Sequence, residues 1–398
     1  MGQLRLLCLT SIDQLRTKAT EWDMLWQASE VTLPTARAEL LAQWVEHFAP
    51  RSTFRAVVVE DAGQFVAALP LVAGRFGKLI AIGTVPDNEW SPGGDLLLDP
   101  TVDRGAALDL LVDGLRALSW PLLKIDAANL QTNRWQAFCD ALERAGLDYS
   151  SRPLMQVGVV DIGRDWQAYL GRRSRNHRRY LRQAAARASE QGGAELEVLA
   201  GLSPDSVAAQ LVRGFEVEHR SWKGRVGTSV ASCPAIFEFY RRQAEYLALQ
   251  GQLELCFLQH QGQAIAFEYG WRSKGVYFTP KVGYDERYEQ LSPGQLLRAR
   301  QIERLHCDSA ARQVDYLGPL SAATSKWTTD GYTISGLVVA LRRPIGSLLL
   351  ETYCRWKPWL AAWRQSPAEI ESNRWLPGKP AHADTHGDAV PVATGQDV

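Results

Sequence analysis

Apolar positions along the chain recur with two periods, and an element ends where the period changes. The first half opens with a short strand, RLLCLTS. SIDQLRTKATEWDMLWQAS follows, and its 3–4 spacing puts Leu15, Trp22 and Leu25 on one helical face. A second helix is predicted over ARAELLAQWVEHFA. FRAVVVED and QFVAALPLVAGRF are strands meeting at Ala62-Gly63, a hairpin signal. KLIAIGT is another strand, and PDNEWSPGGDLLLD a loop leading into extended chain. A helix (VDRGAALDLLVDGLRALS), a strand (LLKIDA), a helix (RWQAFCDALERAG) and a strand near MQVGVVDI complete this half.

From about Asp161 the same order returns. One helix is predicted from DWQAYL to about Ser189, then the strand AELEVLA and helices over Ser203–Trp222 and Pro234–Gln250. LELCFLQH and QAIAFEYGW form a hairpin turning at Gln261-Gly262. The strand GVYFTPKVG, a capped helix, and the strands QVDYLG and YTISGLVVAL close the half. No residue-level repeat links the halves, only the order of elements. The fold class is therefore α/β, in two related lobes over residues 1–160 and 161–343. A helical appendix over 344–375 and an aperiodic tail over 376–398, expected to be disordered, complete the chain.

Composition narrows the function classes. With 46% hydrophobic and 22% charged residues the chain is that of a globular protein. Its net charge is zero, so no global field recruits nucleic acid or membrane, and any basic site must be local. Six cysteines without CxxC pairs or histidine spacing predict reduced thiols and no metal site. No secretory signal and no long apolar run occur, so no transmembrane segment and a cytoplasmic location are expected.

Two stretches stand out chemically. In GYDERYEQLSPGQLLRARQIERL, Ser292 stands at an N-cap, Pro293 at the first helical position and Gln295 where it closes a capping box. Leu296, Ala299, Ile302 and Leu305 give that helix an apolar stripe. Gly294 costs roughly 1 kcal/mol against alanine in the first turn. Either it is tolerated there, or an anion approaches the free N–H groups. The loop is neither a Walker A motif nor the dinucleotide fingerprint. The other stretch is YLGRRSRNHRRYLRQAAARAS, with seven arginines and no acid between Asp165 and Glu190. Leu170, His177, Leu181, Ala184 and Ala188 dock it. Arg172, Arg175, Arg179 and Arg182 share an adjoining face that is either solvated or a phosphate contact. Poor aromatic interleaving argues against single-strand stacking.

HRSWKGRVGTS (His219–Ser229), Gly262–Leu297 and VDYLGPLSAATSKW (Val314–Trp327) resemble the GNAT N-acyltransferase superfamily, specifically its CelD/BcsL-type group first associated with cellulose biosynthesis. With the arginine helix the match spans the second lobe; the first matches only in layout. The resemblance implies tandem GNAT-like lobes, as in Fem aminoacyl ligases, each a mixed, largely antiparallel sheet flanked by helices. It implies acetyl-CoA or another acyl-CoA as cosubstrate, with Val282 and Gly283 meeting pantetheine. Ser292, Gly294, Gln295 and Leu296 would meet the pyrophosphate, and Arg175 and Arg179 a phosphate. The acceptor would be a small molecule or saccharide, in an envelope polysaccharide pathway. The usual Gln/Arg-x-x-Gly-x-Gly/Ala loop is missing. Acyl transfer needs a group to take the acceptor's proton. His219, on the stripe of Val207, Leu211, Phe215 and Trp222, is one candidate, with a satisfied half-buried histidine as its alternative. Glu268, amid the apolar strand AIAFEYGW, is another, with a structural pairing to Arg272 or Lys281 as its alternative. Asp285 and Lys326 match recurrent family positions; a turn cap and a solvated charge are theirs. Two other functions fit the same elements: an aminoacyl-tRNA-dependent ligase of the Fem sort, its arginine helix against RNA, and a noncatalytic binding protein.

Overall fold

The computed structural model describes residues 3–77 and 79–364, with side chains to residue 355. The tail expected over 376–398 and the end of the appendix lie outside the described residues. In the first half β1 (Arg5–Leu9) leads into α1 (Ile12–Thr17), α2 (Ala19–Ala28) and α3 (Ala38–Phe48). The hairpin β2 (Phe54–Asp61) and β3 (Gln64–Phe76), β4 (Ile80–Thr84) and β5 (Leu97–Leu98) follow. Then come α4 (Arg104–Ala117), β6 (Leu122–Ala128), α5 (Asn133–Arg144) and β7 (Tyr149–Asp161). The second half inserts α6 (Trp166–Gly171) and α7 (Arg175–Glu190) before β8 (Glu195–Ala200). It continues with α8 (Pro204–His219), α9 (Trp222–Arg225), α10 (Pro234–Leu249), β9 (Leu253–His260), β10 (Gln263–Ser273) and β11 (Val276–Tyr284). α11 (Pro293–His306), β12 (Gln313–Pro319), β13 (Asp330–Ala340) and α12 (Ile345–Arg364) end it.

The two hairpins turn where the sequence places them. Ala62 and Gly63 have φ of 49° and 84°, Gln261 and Gly262 48° and 76°, the paired left-handed conformations of a tight two-residue turn. Three expected helices are each two. Lys18 leaves helical geometry between α1 and α2. Ser174 starts α7 afresh, its hydroxyl accepting the His177 N–H at 3.1 Å. Ser221 does the same for α9, accepting from Lys223 N at 3.2 Å. A mid-pattern serine that caps outcompetes helix continuation.

All strands join one mixed sheet, in the order β1-β2-β3-β4-β6-β13-β7-β12-β11-β10-β9-β8, with β5 beside β3. The order shows how the halves are joined. β4 with β6 and β11 with β12 are the two parallel pairs. The strand that ends each half lies against the parallel pair of the other: β7 pairs with β12, and β13 with β6. β7 and β13 then pair antiparallel along ten residues at the centre.

One face of the sheet is covered by α1–α3 together with α8 and α10, in a single core running through both halves. Trp22, Leu15, Phe215, Phe239 and Tyr240 are its buried centre. Phe48 of α3 meets Phe239 of α10 with ring centroids 4.7 Å apart. On the opposite face α4 and α5 cover the first half, and α6, α7 and α11 the second. Met1–Trp356 is one compact unit.

Candidate active site

β11 and β12 pair only at Val276–Gln313, Tyr277–Val314 and Phe278–Asp315. Beyond Phe278 they diverge, and the edge of β11 from Thr279 to Tyr284 borders a gap. A bulge shapes that edge. Tyr269 pairs with Lys281 and Trp271 with Phe278, so Thr279 and Pro280 together oppose Gly270. Such an extra residue re-aims the side chains that follow, and Pro280 offers no N–H to a neighbouring strand.

A cavity of about 150 Å³ occupies the gap, with walls from both faces of the sheet. Ser221, Trp222 and Lys223 close one side, Val282, Gly283 and Tyr284 form the strand edge, and Gly294, Gln295 and Arg298 of α11 the other side. Gly283 is required by close approach, since a Cβ there would lie 2.6 Å from Glu218 Cα. Glu218 is 2% exposed. Its carboxylate accepts from Lys223 Nζ at 2.8 Å and from Val230 N at 3.0 Å. Lys223 Nζ also donates to the Val282 carbonyl at 2.9 Å. Arg298 lies over the Tyr316 ring at 4.9 Å, and its Nε is buried without a hydrogen-bond partner.

The α11 N-terminus differs from the expected capping box. Ser292 adopts left-handed geometry (φ 56°, ψ 49°) and its side chain makes no cap bond. Gln295 accepts from Trp327 Nε1 at 2.8 Å instead of reaching back. The buried indole of Trp327 takes that acceptor, and the helix end goes without a side-chain cap. Gln295 and Leu296 N–H groups both reach the Ser292 carbonyl. The Gly294 N–H has no partner among the described residues, and Gly294 lines the cavity. Tyr284 supplies a second reason for glycine: a Cβ at 294 would be 3.3 Å from its ring.

The four catalytic candidates fall in four different settings. Glu268 is 2% exposed and accepts from Tyr277 Oη at 2.8 Å, on the face of β10 that looks toward α11. Burial drives its pKa up to about 7, against the opposing pull of Arg298 and the Tyr277 hydrogen bond. Neither alternative partner holds it, because Arg272 pairs with Asp308 and Glu254. His219 is not on the buried stripe. It is exposed, with Nδ1 2.9 Å from Ser229 Oγ, and the inward residue is its neighbour Glu218. Trp222 is likewise 52% exposed. Asp285 caps the turn after β11 and is gripped by Arg287 at 2.6 Å. Burial works to raise its pKa, and the Arg287 hydrogen bonds overcome that and hold it below the ordinary carboxylate range. Lys326 is exposed, 5.9 Å from the Tyr180 ring centroid.

The cavity thus gathers Val282, Gly283, Gly294 and Gln295, whereas Arg175 and Arg179 lie elsewhere. Both are exposed on α7. Arg175, Arg178 and Arg182 line a separate groove of about 440 Å³ with Gln167, Leu170 and Gly171. Among the described residues no acid pairs with these arginines. Arg173 instead turns inward, 3.3 Å from the Trp327 carbonyl. His177 docks α7 as expected, 4% exposed against Trp327, and burial with Lys326 and Arg173 pushes its pKa down to about 4.

Three residues escape pattern reasoning: Lys223 and Arg298 at the gap, and Tyr277, the partner of Glu268. Arg298 had a usable signal, since it lies four positions after Gly294 on the same helical face. Lys223 lies in the HRSWKGRVGTS stretch, but its reach to Val282 depends on a fold contact. Tyr277 sits within an apolar strand and looks like core.

No helix among the described residues is long and apolar enough to cross a membrane, and the six cysteines are free. No curated protein sequence matches the chain. Among solved structures the fold is similar to that of FemX, at 11% identity over 83% of this chain and 98% of that one, TM-score 0.56. A conserved protein of unknown function from Bacteroides thetaiotaomicron aligns at 10% identity over 84% of this chain and all of that one, TM-score 0.53. The C-terminal domain of a putative lysylphosphatidylglycerol synthetase from Agrobacterium fabrum aligns at 12% identity over 87% and 98%, TM-score 0.50. At such identities the likeness is one of fold. Residues 175–324, which hold the gap between β11 and β12 and the whole of α11, match the family model of the acetyltransferase (GNAT) domain.

Proposed function

We propose that the chain is an acyl-CoA-dependent N- or O-acyltransferase whose donor enters the gap between β11 and β12. The observation that carries this is that Gly294, whose N–H has no partner among the described residues, lines a cavity with Lys223 and Arg298. A free first-turn N–H and two cations favour a pyrophosphate, and the unpaired edge of β11 offers backbone partners to an amide-bearing arm. The CelD/BcsL-type assignment and a saccharide or other small acceptor draw their support from the sequence resemblance.

Glu268 is the proposed general base. A carboxylate with pKa about 7 is matched to taking a proton near neutrality. The Tyr277 hydroxyl that now donates to it fixes its orientation. The departing thiolate needs a proton donor, and Tyr316, buried against Arg298 with its hydroxyl unpartnered, is the proposed one. Thiol release from acetyl-CoA and longer acyl-CoAs, followed with a panel of amine and hydroxyl acceptors, tests the reading. Acceptor-dependent release supports it, and no release with any donor contradicts it.

A second reading has its own observation. Arg175, Arg178 and Arg182 line a groove without counter-charges, which suits a polyanionic donor such as an aminoacyl-tRNA. Binding of tRNA in the absence of CoA binding would favour that ligase over the acyl-CoA enzyme.

A further inference from the structure

Two half-buried lysines make no ion pair among the described residues, and they differ in one respect. Lys274 donates to the carbonyls of Ser29 and Val31, both at 2.9 Å, and to that of Trp26. Its three hydrogens are used, and its role is to pin α2 to the second half. Lys281 has no hydrogen bond and no ion pair among the described residues. Its ammonium stands 4.8 Å from the centroid of Trp90 and 5.7 Å from that of Tyr240.

The cage around Lys281 is built, not incidental. The bulge at Thr279–Pro280 puts Lys281 on the Tyr269 face of β11, away from α11. Trp90 comes from the first half, on the loop between β4 and β5. That loop is held by Tyr240 Oη on the Trp90 carbonyl, Trp44 Nε1 on the Ser91 carbonyl at 2.9 Å, and Gln243 Nε2 on Ser91 Oγ at 3.2 Å. The charged neighbours are Lys223, Glu218 and Glu89. Glu218 is committed to Lys223 and Val230 N, and Glu89 is exposed with no bond to Lys281. Burial and the Lys223 charge push the Lys281 amine down to about 8. Two aromatic faces offset only part of the cost of withdrawing an ammonium from water. A ligand anion would supply the remainder.

We infer that Lys281, with Trp90 and Tyr240, forms an anion subsite for the acceptor, so that the acceptor carries a carboxylate or a phosphate close to its nucleophile. This deepens the acyl-transfer reading and rests on it for the word acceptor. The donor's phosphates belong to the α11 side of the gap, and Lys281 lies on the other face, two residues along the strand from Gly283 of the cavity. A neutral sugar would leave Lys281 unpaired.

Trace acetylation of the full chain by acetic anhydride at about pH 7.5, where an amine of lowered pKa is preferentially reactive, reads the subsite directly. Peptide mass spectrometry follows Lys281 against Lys18, a reference at the α1–α2 kink. Inorganic phosphate and succinate are the probes. Protection of Lys281 by about tenfold at ten times the dissociation constant, with Lys18 unchanged, is the expected result. Protection by phosphate identifies a phosphate-bearing acceptor, and protection by succinate a carboxylate-bearing one. An unchanged Lys281 rate with both probes, or a Lys281 as unreactive as Lys274, overturns the inference. Calorimetry with acetyl-CoA on the same protein reports on the donor separately. Absence of that binding with protection intact removes the acyl-CoA reading and leaves the anion subsite standing.

Discussion

Glu268 and His219 show how far single residues can be read from pattern alone. Glu268 announces itself, because an acid inside AIAFEYGW must be buried and must find a partner. The partner could not be named, since Tyr277 reaches it only through the pairing of β10 with β11. His219 and Glu218 are adjacent on a helix whose buried stripe is broad enough to admit either. The approach of β11 to Glu218 decides between them. His219→Ala should therefore leave turnover near wild type, measured with any acceptor that supports thiol release; a loss of more than about 100-fold would restore it as base. Glu268→Gln should cost about 10²–10⁴ in turnover with acyl-CoA binding intact. Stability offers a check that needs no acceptor. The folded pKa of Glu268, about 7, lies above its ordinary value of 4.5 in an unfolded chain. Its contribution is complete below pH 4.5 and is lost as pH rises through 7, up to about 3 kcal/mol. Denaturation midpoints of Glu268→Gln should fall less over that window than those of the wild type. Equal slopes would mean the carboxyl titrates normally.

At the scale of elements, strands, hairpins and helix faces were legible because short-range patterns specify them. Leu15, Trp22 and Leu25 are buried as their spacing requires, and both hairpin turns stand at their glycines. Breaks inside helices were not legible. Ser174 and Ser221 act as caps only where the chain also turns away, and sequence shows the serine but not the turn. The SPGQ stretch is a helix start, as its pattern indicates, but not a capping box, since Gln295 serves Trp327, 32 residues downstream. α7 docks by the face expected of it, and its arginines are left without acids. Arg175→Glu with Arg178→Glu should weaken binding of whichever anion uses that groove and flatten its salt dependence. Filter binding of tRNA and calorimetry of acyl-CoA across a salt series measure this. Unchanged slopes with both would show a solvated face.

For the whole molecule, the order of elements disclosed two similar halves, but not how they are joined. The exchange of β7 and β13 is a pairing between residues far apart in sequence, and nothing local encodes it. The shared core of α3 and α10 follows from that exchange. Phe239→Ala, in the second half, should destabilise by about 3–5 kcal/mol. Because the core is continuous, hydrogen exchange should rise together in β2 and β9. Faster exchange confined to the second half would show that the halves unfold separately.

The central claim is that the α11 N-terminus holds the donor's pyrophosphate. Calorimetric titration of acetyl-CoA into wild type, Gly294→Glu and Arg298→Gln tests it most directly, with circular dichroism melts to confirm folding. Glutamate at 294 places a carboxylate where the phosphates would lie, and glutamine at 298 removes a cation without adding bulk. The account predicts micromolar-range binding to wild type, roughly tenfold or more weaker binding to Arg298→Gln, and none detectable to Gly294→Glu. Equal affinity in all three folded proteins would contradict it.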